Sequence, residues 1–416
     1  MRLKLRQLQV FREAVRRGSV SAAARALYVS QPSASQAIAA VERHFGAGLF
    51  ERNTRGLTLT AAGALVHTRI ERALDELREG IAEARRHRGS PSRLEPSISA
   101  AQLAALVATV AHGRFGRAAR AVRLARPTLH RAARLLEQRI GVALFERSSF
   151  GIGPTREAER LAVRAQLAFA ELAQARAEVG ALTGGAMGRT VIGAMPLARS
   201  FLVPAAVLAF TGTHSRHSVS ILDGTYESLL LALRAGQADV LIGALRGPAS
   251  TEGIREERLF DDPLALVVRA GHPLARGRAP AVRELPRYEW IAPRAGSPLR
   301  RQFNELFEQA GLAVPACPIE CSSLVAARAI LVDSDRVMLL SAHQVEQDVA
   351  AGILVALPHP RGRVTRAIGL TMRSAWRPTA AQLGLLAAVR KVAAEIGALP
   401  RGSARRPSGP TLAPSG

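Results

Sequence analysis

Residues Gln31–Arg52 read QPSASQAIAAVERHFGAGLFER, and Arg126–Arg147 read RPTLHRAARLLEQRIGVALFER. Sliding the chain against itself by the same step aligns Gln7–Thr60 with Gln102–Thr155 without a gap. Roughly a third of the positions are identical, among them Gly18/Gly113, Pro32/Pro127, Glu42/Glu137 and Gly46/Gly141. Similarity of this length and register marks a duplicated folding unit. Whatever the chain folds into must therefore contain one small structure twice, with more than half of the 416 residues left for something else.

The first copy predicts helices. Leu5, Leu8, Phe11, Ala14 and Val15 recur at helical spacing and stop at Gly18. Ser21 is expected to cap a short second helix, Ala22–Leu27, whose small residues permit a close crossing. After the turn Val29-Ser30-Gln31-Pro32, a third helix is expected over Pro32–Phe45. Ser30 would be its cap, Ile38 and Val41 its buried face, and Gln31, Ser33, Ser35 and Gln36 its outward face. Two short helices joined by a turn, the second presenting small polar donors near its amino end, form a helix-turn-helix that reads base edges in a major groove. Leu49–Arg52 and Leu57–Thr60 alternate around Gly56 as a hairpin wing, with Arg52 and Arg55 placed for phosphates.

The charge agrees with a polyanionic partner. The chain carries 57 Lys+Arg against 33 Asp+Glu, a net +24. Residues 1–188 hold 30 basic and 15 acidic side chains, net +15; residues 189–416 hold 27 and 18, net +9. The front half is the more polyanion-seeking half. No unbroken apolar run has membrane length, and the basic amino terminus lacks the apolar block of a secretory signal, so the reading places the chain in the cytoplasm. Two cysteines, Cys317 and Cys321, cannot build a disulfide framework. They read as small, partly buried residues, with a redox pair as the alternative.

Ala22-Ala23-Ala24-Arg25-Ala26-Leu27, Ser30-Gln31-Pro32-Ser33-Ala34-Ser35-Gln36, Leu49-Phe50-Glu51-Arg52 and Leu59-Thr60-Ala61-Ala62-Gly63 resemble the winged helix-turn-helix of LysR-type transcriptional regulators. The resemblance implies a DNA-reading domain, a long dimerising helix and a carboxy-terminal effector domain built like a type 2 periplasmic binding protein. The chain departs from that pattern in carrying the DNA-reading unit twice.

The second copy keeps the scaffold and changes the outward face. Ser33-Ala34-Ser35-Gln36 is matched by Thr128-Leu129-His130-Arg131, and Gln31 by Arg126. From Arg114 to Arg139 there are eight Arg and one acid, Glu137. The unit is a second reader with another preference, a sequence-blind phosphate grip, or a structural relic.

A helix follows each wing. Val66, Ile70, Ala73, Leu77, Ile81 and Ala84 form one apolar seam, and Leu161, Ala165, Ala168, Leu172, Ala175, Val179 and Leu182 another. Such seams bury against a helix, with the same helix of a second chain as the expected partner and the chain's own winged unit as the alternative. Arg85–Ser92 reads as a basic tether and Thr183–Gly188 as a hinge.

From Thr190 the periodicity becomes alternating strands and helices. Strands are expected at Val191–Ala194, Val219–Leu222, Asp239–Gly243, Pro263–Val268, Trp290–Ala292, Glu320-Cys321, Val337–Leu340 and Ala367–Thr371. The intervening helices are expected at Ser200–Phe210, Thr225–Arg234, Leu299–Ala310, Leu324–Leu331 and Thr379–Ile396. Two α/β lobes joined by two crossing segments would enclose a cleft. The whole stretch resembles the family's effector domain, and the runs Gly193-Ala194-Met195-Pro196 and Asp223-Gly224-Thr225-Tyr226-Glu227 look most like the branch that includes the galactose-binding-protein regulator and aromatic-catabolism regulators. Ligands in such sheets sit at carboxyl strand ends. The effector-binding candidates are Met195, Pro196, Arg199, Ser200, Thr225, Arg294, Ser297 and Ser322, with the arginines suited to a carboxylate.

The expected fold class is multidomain: two all-α winged helix-turn-helix units with linker helices, then the two-lobed α/β domain. The divisions are 1–63 first head, 64–88 linker helix, 89–98 tether, 99–158 second head, 159–187 second linker and hinge, 188–399 effector domain and 400–416 disordered tail. Lobe I is 188–266 with 368–399; lobe II is 267–367. The DNA-binding candidates are Ser30, Gln31, Pro32, Ser33, Ser35, Gln36, Arg52, Arg55, Arg126, Thr128, His130 and Arg131. No nucleophile elbow, Walker loop or metal-spaced cluster is present, so catalysis, cofactor and metal are not expected. The partners expected are a double-stranded DNA operator, a sugar or an aromatic or carboxylic metabolite, RNA polymerase and further copies of the chain as a homodimer or homotetramer; no membrane is expected. The rival function is a ligand-independent architectural DNA-binding protein.

Overall fold

The computed structural model describes residues 3–53, 56–85, 98–148, 151–185, 188–247, 252–276 and 280–398. Arg55, residues 89–97 of the expected tether and the 400–416 tail lie outside them, and Arg52 is described by its backbone alone.

The first head is α1 (Leu5–Arg17), α2 (Val20–Ala26), α3 (Gln31–Phe45), the hairpin β1 (Phe50–Asn53) and β2 (Gly56–Leu59), and then the long helix α4 (Ala61–Arg85). The second head repeats it as α5 (Ala100–His112), α6 (Phe115–Ala121), α7 (Arg126–Ile140), β3 (Phe145–Ser148), β4 (Gly151–Pro154) and α8 (Arg156–Leu182). Identical residues do identical work in both. Gly46 and Gly141 end α3 and α7 in the left-handed region at φ 74° and 73°, where a side chain would be strained. Glu42 accepts the Leu49 amide at 2.9 Å, and the matching Glu137 accepts the Leu144 amide at 2.8 Å, so each carboxylate pins the chain where it turns into the wing. Thr60 and Thr155 each hold an amide three residues on, at the start of the long helix. The expected cap of α2 is corrected: Ser19, not Ser21, accepts the Ala22 amide, so α2 starts earlier than Ala22. Gly18 stops α1 in the left-handed region, which leaves only Gly18 and Ser19, one cap for each helix, between Arg17 and Val20.

The expected partner of the linker seams is also corrected. α4 packs lengthwise against α8 of the same chain, and both heads and both long helices share one apolar core that includes Val66, Leu74 and Leu77 with Leu161, Leu172 and Val179. The pairing is antiparallel and reciprocal. Arg69 donates to Glu171 (2.8 Å), Gln174 (2.6 Å) and Glu178 (2.6 Å). Arg164, which holds Arg69's place in the second repeat, reaches Glu76 (2.8 Å), Glu79 (2.8 Å) and Glu83 (2.7 Å), the residues matching those three acceptors. A contact in which i meets j' and j meets i' is isologous, the signature of a two-fold axis. Here the two-fold lies inside one chain. A β-bridge between Lys4 and Ser99, again equivalent positions, falls where the same axis brings a residue to its own counterpart.

The last domain begins with β5 (Arg189–Ala194), α9 (Pro196–Ser200), α10 (Leu202–Thr211), β6 (Ser218–Leu222), α11 (Tyr226–Arg234) and β7 (Val240–Ala244). A long β8 (Ile254–Arg269) crosses to β9 (Glu289–Ala292), α12 (Pro298–Glu308), β10 (Ile319–Glu320), α13 (Leu324–Val332), β11 (Arg336–Ser341), α14 (Glu346–Ala350) and β12 (Leu354–Pro358). β13 (Thr365–Arg373) returns and α15 (Ala380–Ala398) closes. Strand order is β10-β9-β11-β8-β13-β7-β5-β6, with β12 also on β8. β5 pairs in parallel with β6 and β7, and β9 with β10 and β11, giving one parallel half per lobe. The antiparallel pair β8 and β13 joins them.

Several sequence-based bounds shift. The helix expected over Ser200–Phe210 starts at Leu202 as α10 and is preceded by the separate short α9; the crossing strand runs back to Ile254; and β12 and α14 are additional to the expected elements. β8 looked short because Asp261-Asp262 interrupts its apolar pattern. Asp262 is nonetheless fully buried, accepting from Ser341 (2.5 Å), His343 (3.0 Å) and Arg366 (2.9 Å) at the junction of the lobes. Among the described residues no helix is long and apolar enough to cross a membrane.

Candidate nucleic-acid interface and effector cleft

In the first head, Ser30 caps α3: its hydroxyl oxygen accepts the Ser33 amide at 3.3 Å and its hydroxyl donates to the Ser33 Oγ at 2.8 Å. Pro32 sits in the first turn, where its missing N–H costs nothing. Ala34, Ala37, Ile38 and Val41 point into the head, which leaves Gln31, Pro32, Ser33, Ser35 and Gln36 exposed on the opposite side. The outward face therefore combines amide and hydroxyl groups that can donate to and accept from base edges, with no net charge. Tyr28, at φ 52° in the turn before α3, is 94% exposed, a large aromatic not singled out from the sequence.

In the second head the same geometry carries other chemistry. Ala125 offers α7 no side-chain cap, and Arg114 gives none to α6. Arg126, Thr128 and Arg131 are exposed, as expected. His130 is not on the open face: it is half-buried, its ring edge-on to Phe115 at 5.1 Å. Arg123 repeats the left-handed turn of Tyr28 at φ 54° and puts a cation there.

In the effector domain the expected strand-end residues divide. Thr225 caps α11 and Ser297 caps α12, accepting the amides of Ser228 (3.2 Å) and Arg300 (3.1 Å). Arg199 is paired with Asp223 at 2.9 Å, and Ser200 bonds back to the Pro196 carbonyl. Met195 is buried against Gly243 and the Leu229–Leu241 cluster, so its side chain is core rather than cleft. Ser322 is exposed one position before the cap of α13, which is Ser323.

Sequence reasoning missed Arg246. It follows β7, lies 4.4 Å over the Tyr226 ring, and its Nε is buried without a hydrogen-bond partner among the described residues. Burial lowers its pKa from the ordinary guanidinium value, opposed by the charge of Glu227. Glu227 in turn lies below the ordinary carboxylate range, held there by its own backbone N–H, by the Thr225 hydroxyl, and by the charges of Arg246 and of Arg294 across the cleft. Lobe I thus offers a half-buried cation on an aromatic ring with Glu227 beside it, and from lobe II the charge of Arg294 reaches Glu227 while that of Arg301 reaches Arg246. That pairing suits a planar anion.

The comparisons agree with this anatomy. The pattern "Bacterial regulatory helix-turn-helix protein, lysR family" matches twice, at 5–64 and 100–159, and "LysR substrate binding domain" matches 183–394. The chain is 32% identical over 391 residues to the HTH-type transcriptional regulator GalR of Pseudomonas putida, covering 94% of this chain and 98% of that protein, a span that cannot omit either head. It is 31% identical over 275 residues to the regulator PcaQ of Agrobacterium fabrum, covering 66% of this chain and 88% of that one. Among solved structures, a full-length OxyR variant from Pseudomonas aeruginosa superposes with a TM-score of 0.53 at 22% identity, over 71% of this chain and 94% of that one. CbnR, a LysR family transcriptional regulator, does so at 0.50 and 20%, over 71% and 99%. These two likenesses support the fold. Two winged heads and a two-lobed α/β effector domain, each matched by the family's own pattern, make this chain a member of the LysR family of DNA-binding transcriptional regulators.

Proposed function

We propose that a single chain is a complete two-headed operator reader, governed by an anionic metabolite held between the lobes of its effector domain. The observation that carries this is the reciprocal network of Arg69 and Arg164 on the α4/α8 seam. It holds two heads about an internal two-fold, so both halves of a two-part operator can be engaged without a second chain. Ser30, Gln31, Pro32, Ser33, Ser35 and Gln36 face one half-site, with Arg52 and Arg55 of the wing expected on phosphates. Arg126, Thr128 and Arg131 face the other half-site. The effector lies among Thr225, Arg246, Arg294 and Ser297.

Control is mechanical. Lobe I rests on the linker pair, with Gly236 against Leu167 and Ala170 of α8 and Gly188 against Ala177. α11 runs from the cleft, where Tyr226 underlies Arg246, to that contact at its far end. A ligand that favours one lobe arrangement must then favour one seat of lobe I on the seam, which is the differential affinity that regulation requires.

Two measurements test the reading. On a duplex of about 20 base pairs, which holds two half-sites one helical turn apart, native mass spectrometry should find one 44.3 kDa chain per duplex. A minimum of two chains on that duplex would defeat the single-chain reading. A thermal-shift screen of small aromatic and aliphatic carboxylates should find stabilisers whose effect is lost in Arg246→Ala. No stabiliser at all would favour a ligand-independent architectural protein.

A further inference from the structure

The two heads share a backbone but not a surface. Six arginines of the second head stand exposed: Arg114, Arg117 and Arg120 on or beside α6, Arg123 in the turn, and Arg126 and Arg131 on α7. Their counterparts in the first head are Ser19, Ala22, Arg25, Tyr28, Gln31 and Gln36, of which only Arg25 is charged. No carboxylate neutralises the six among the described residues. Glu137, the one acid nearby, is buried and committed to the amides of Leu144 and Phe145 and to Arg134.

Placement separates phosphate from base. A recognition helix reaches base edges with three or four side chains, while the helix before it crosses the sugar-phosphate backbone. Four of the six cations lie on that first helix or in the turn, out of reach of base edges. On α7, Arg126 and Arg131 have no carboxylate or amide partner among the described residues, so nothing in the head holds either guanidinium in one plane towards a base edge. Thr128 alone keeps the small neutral chemistry of the first head's face, because His130 is turned onto Phe115.

We propose that the second head grips the phosphate backbone without reading bases, so the operator carries one sequence-defined half-site beside a sequence-indifferent one. This rests on the two-headed reading above and assigns its heads different tasks. The first head supplies discrimination; the second raises affinity for whatever duplex adjoins, because the seam holds it at a high effective concentration once the first head is seated.

The test uses the full chain and duplexes with a randomised stretch of about 30 base pairs, long enough for two half-sites a helical turn apart with flanks. Selection should recover one information-rich half-site, flanked on one side by a protected stretch of about one turn with no sequence preference. The variant R117Q/R120Q/R123N, with an asparagine where the backbone is left-handed, should select the same half-site. Its binding should be weaker by the same factor, tenfold or more, on every sequence at low salt. The slope of log affinity against log salt should flatten by about 2 to 3, near 0.9 for each phosphate contact removed. Two information-rich half-sites, or a variant that selects different sequences, would show the second head reading bases and overturn the proposal. Unchanged affinity and slope in a variant that melts like the parent would overturn it too, by placing the second head off DNA. A parent chain that retains no duplex defeats the underlying function instead, which keeps the two failures apart.

Discussion

Arg72 and Leu167 occupy the same place in the two repeats, and of the two only Arg72 hydrogen-bonds to lobe I, donating to Glu171 on the seam at 2.9 Å and to the carbonyl of Ala375 in lobe I at 2.6 Å. Leu167 meets the same lobe through Gly236, by packing alone. The effector domain therefore sits close to the internal two-fold and breaks its symmetry with one guanidinium. Replacing Arg72 with Ala should loosen that seat. Hydrogen exchange should quicken at 373–376 and 235–238 and stay unchanged in β9 and β11; equal protection at all four would mean Arg72 carries none of the docking.

The seam itself should be unequal in strength. Arg69 is 4% exposed and Arg164 27% exposed, although they make matching contacts. Arg69→Met leaves Glu178 without its cation and Glu171 with Arg72 alone, in a largely buried setting, and should lower the unfolding free energy of the head module by about 3 kcal/mol. Arg164→Met, with water at hand, should cost about 1 kcal/mol. Urea unfolding followed by exchange of α4 and α8 amides distinguishes them, and equal losses would refute the ranking.

Discrimination should reside in α3. Ser33→Ala and Gln36→Ala each remove a base-edge group from a face that is otherwise intact, and each should reduce the preference for the selected operator over a scrambled duplex by about 1–3 kcal/mol. Affinity for the scrambled duplex should hardly move. Fluorescence anisotropy on both duplexes gives the ratio; a parallel loss on both would assign these residues to general binding.

Acid should weaken lobe II through His359. Burial first, then the charge of Arg361, lowers its pKa to about 4, and its Nε2 has no partner among the described residues. Between about pH 4 and 6.5 the unfolded chain binds the proton and the folded chain does not. The contribution is therefore complete above pH 6.5 and is lost as pH falls toward 4. With allowance for solvent screening, His359→Gln should remove about 1 kcal/mol of the stability lost between pH 6.5 and 5. Denaturant midpoints across that range check it.

Much of this was legible in the sequence because the two copies annotate each other. Glu42 and Glu137 stand in different surroundings of sequence yet persist, since each must meet the amides entering a wing. The misplaced cap of α2 shows the limit: Ser19 and Ser21 are both able to cap, and the choice is made by how soon Gly18 ends α1. The partner of the apolar seam was not legible from apolar residues, which fit any helix with the same spacing. The charges did carry it. Arg69, Glu76 and Glu83 recur as Arg164, Glu171 and Glu178, and a repeat that keeps both signs at steps of seven can neutralise them by turning one copy against the other. Arg246 escaped notice because its neighbours Leu245 and Gly247 give no polar context; only the fold brings Tyr226 beneath it.

In an ordinary homodimer one gene segment encodes both halves of the reader, so every substitution strikes both at once and the halves stay alike. Joining the copies end to end removes that coupling. The seam must conserve its reciprocal charges, but the outward residues of each copy answer to selection separately. The neutral amides of α3 and the cations around α7 are a difference that only separately encoded copies can carry.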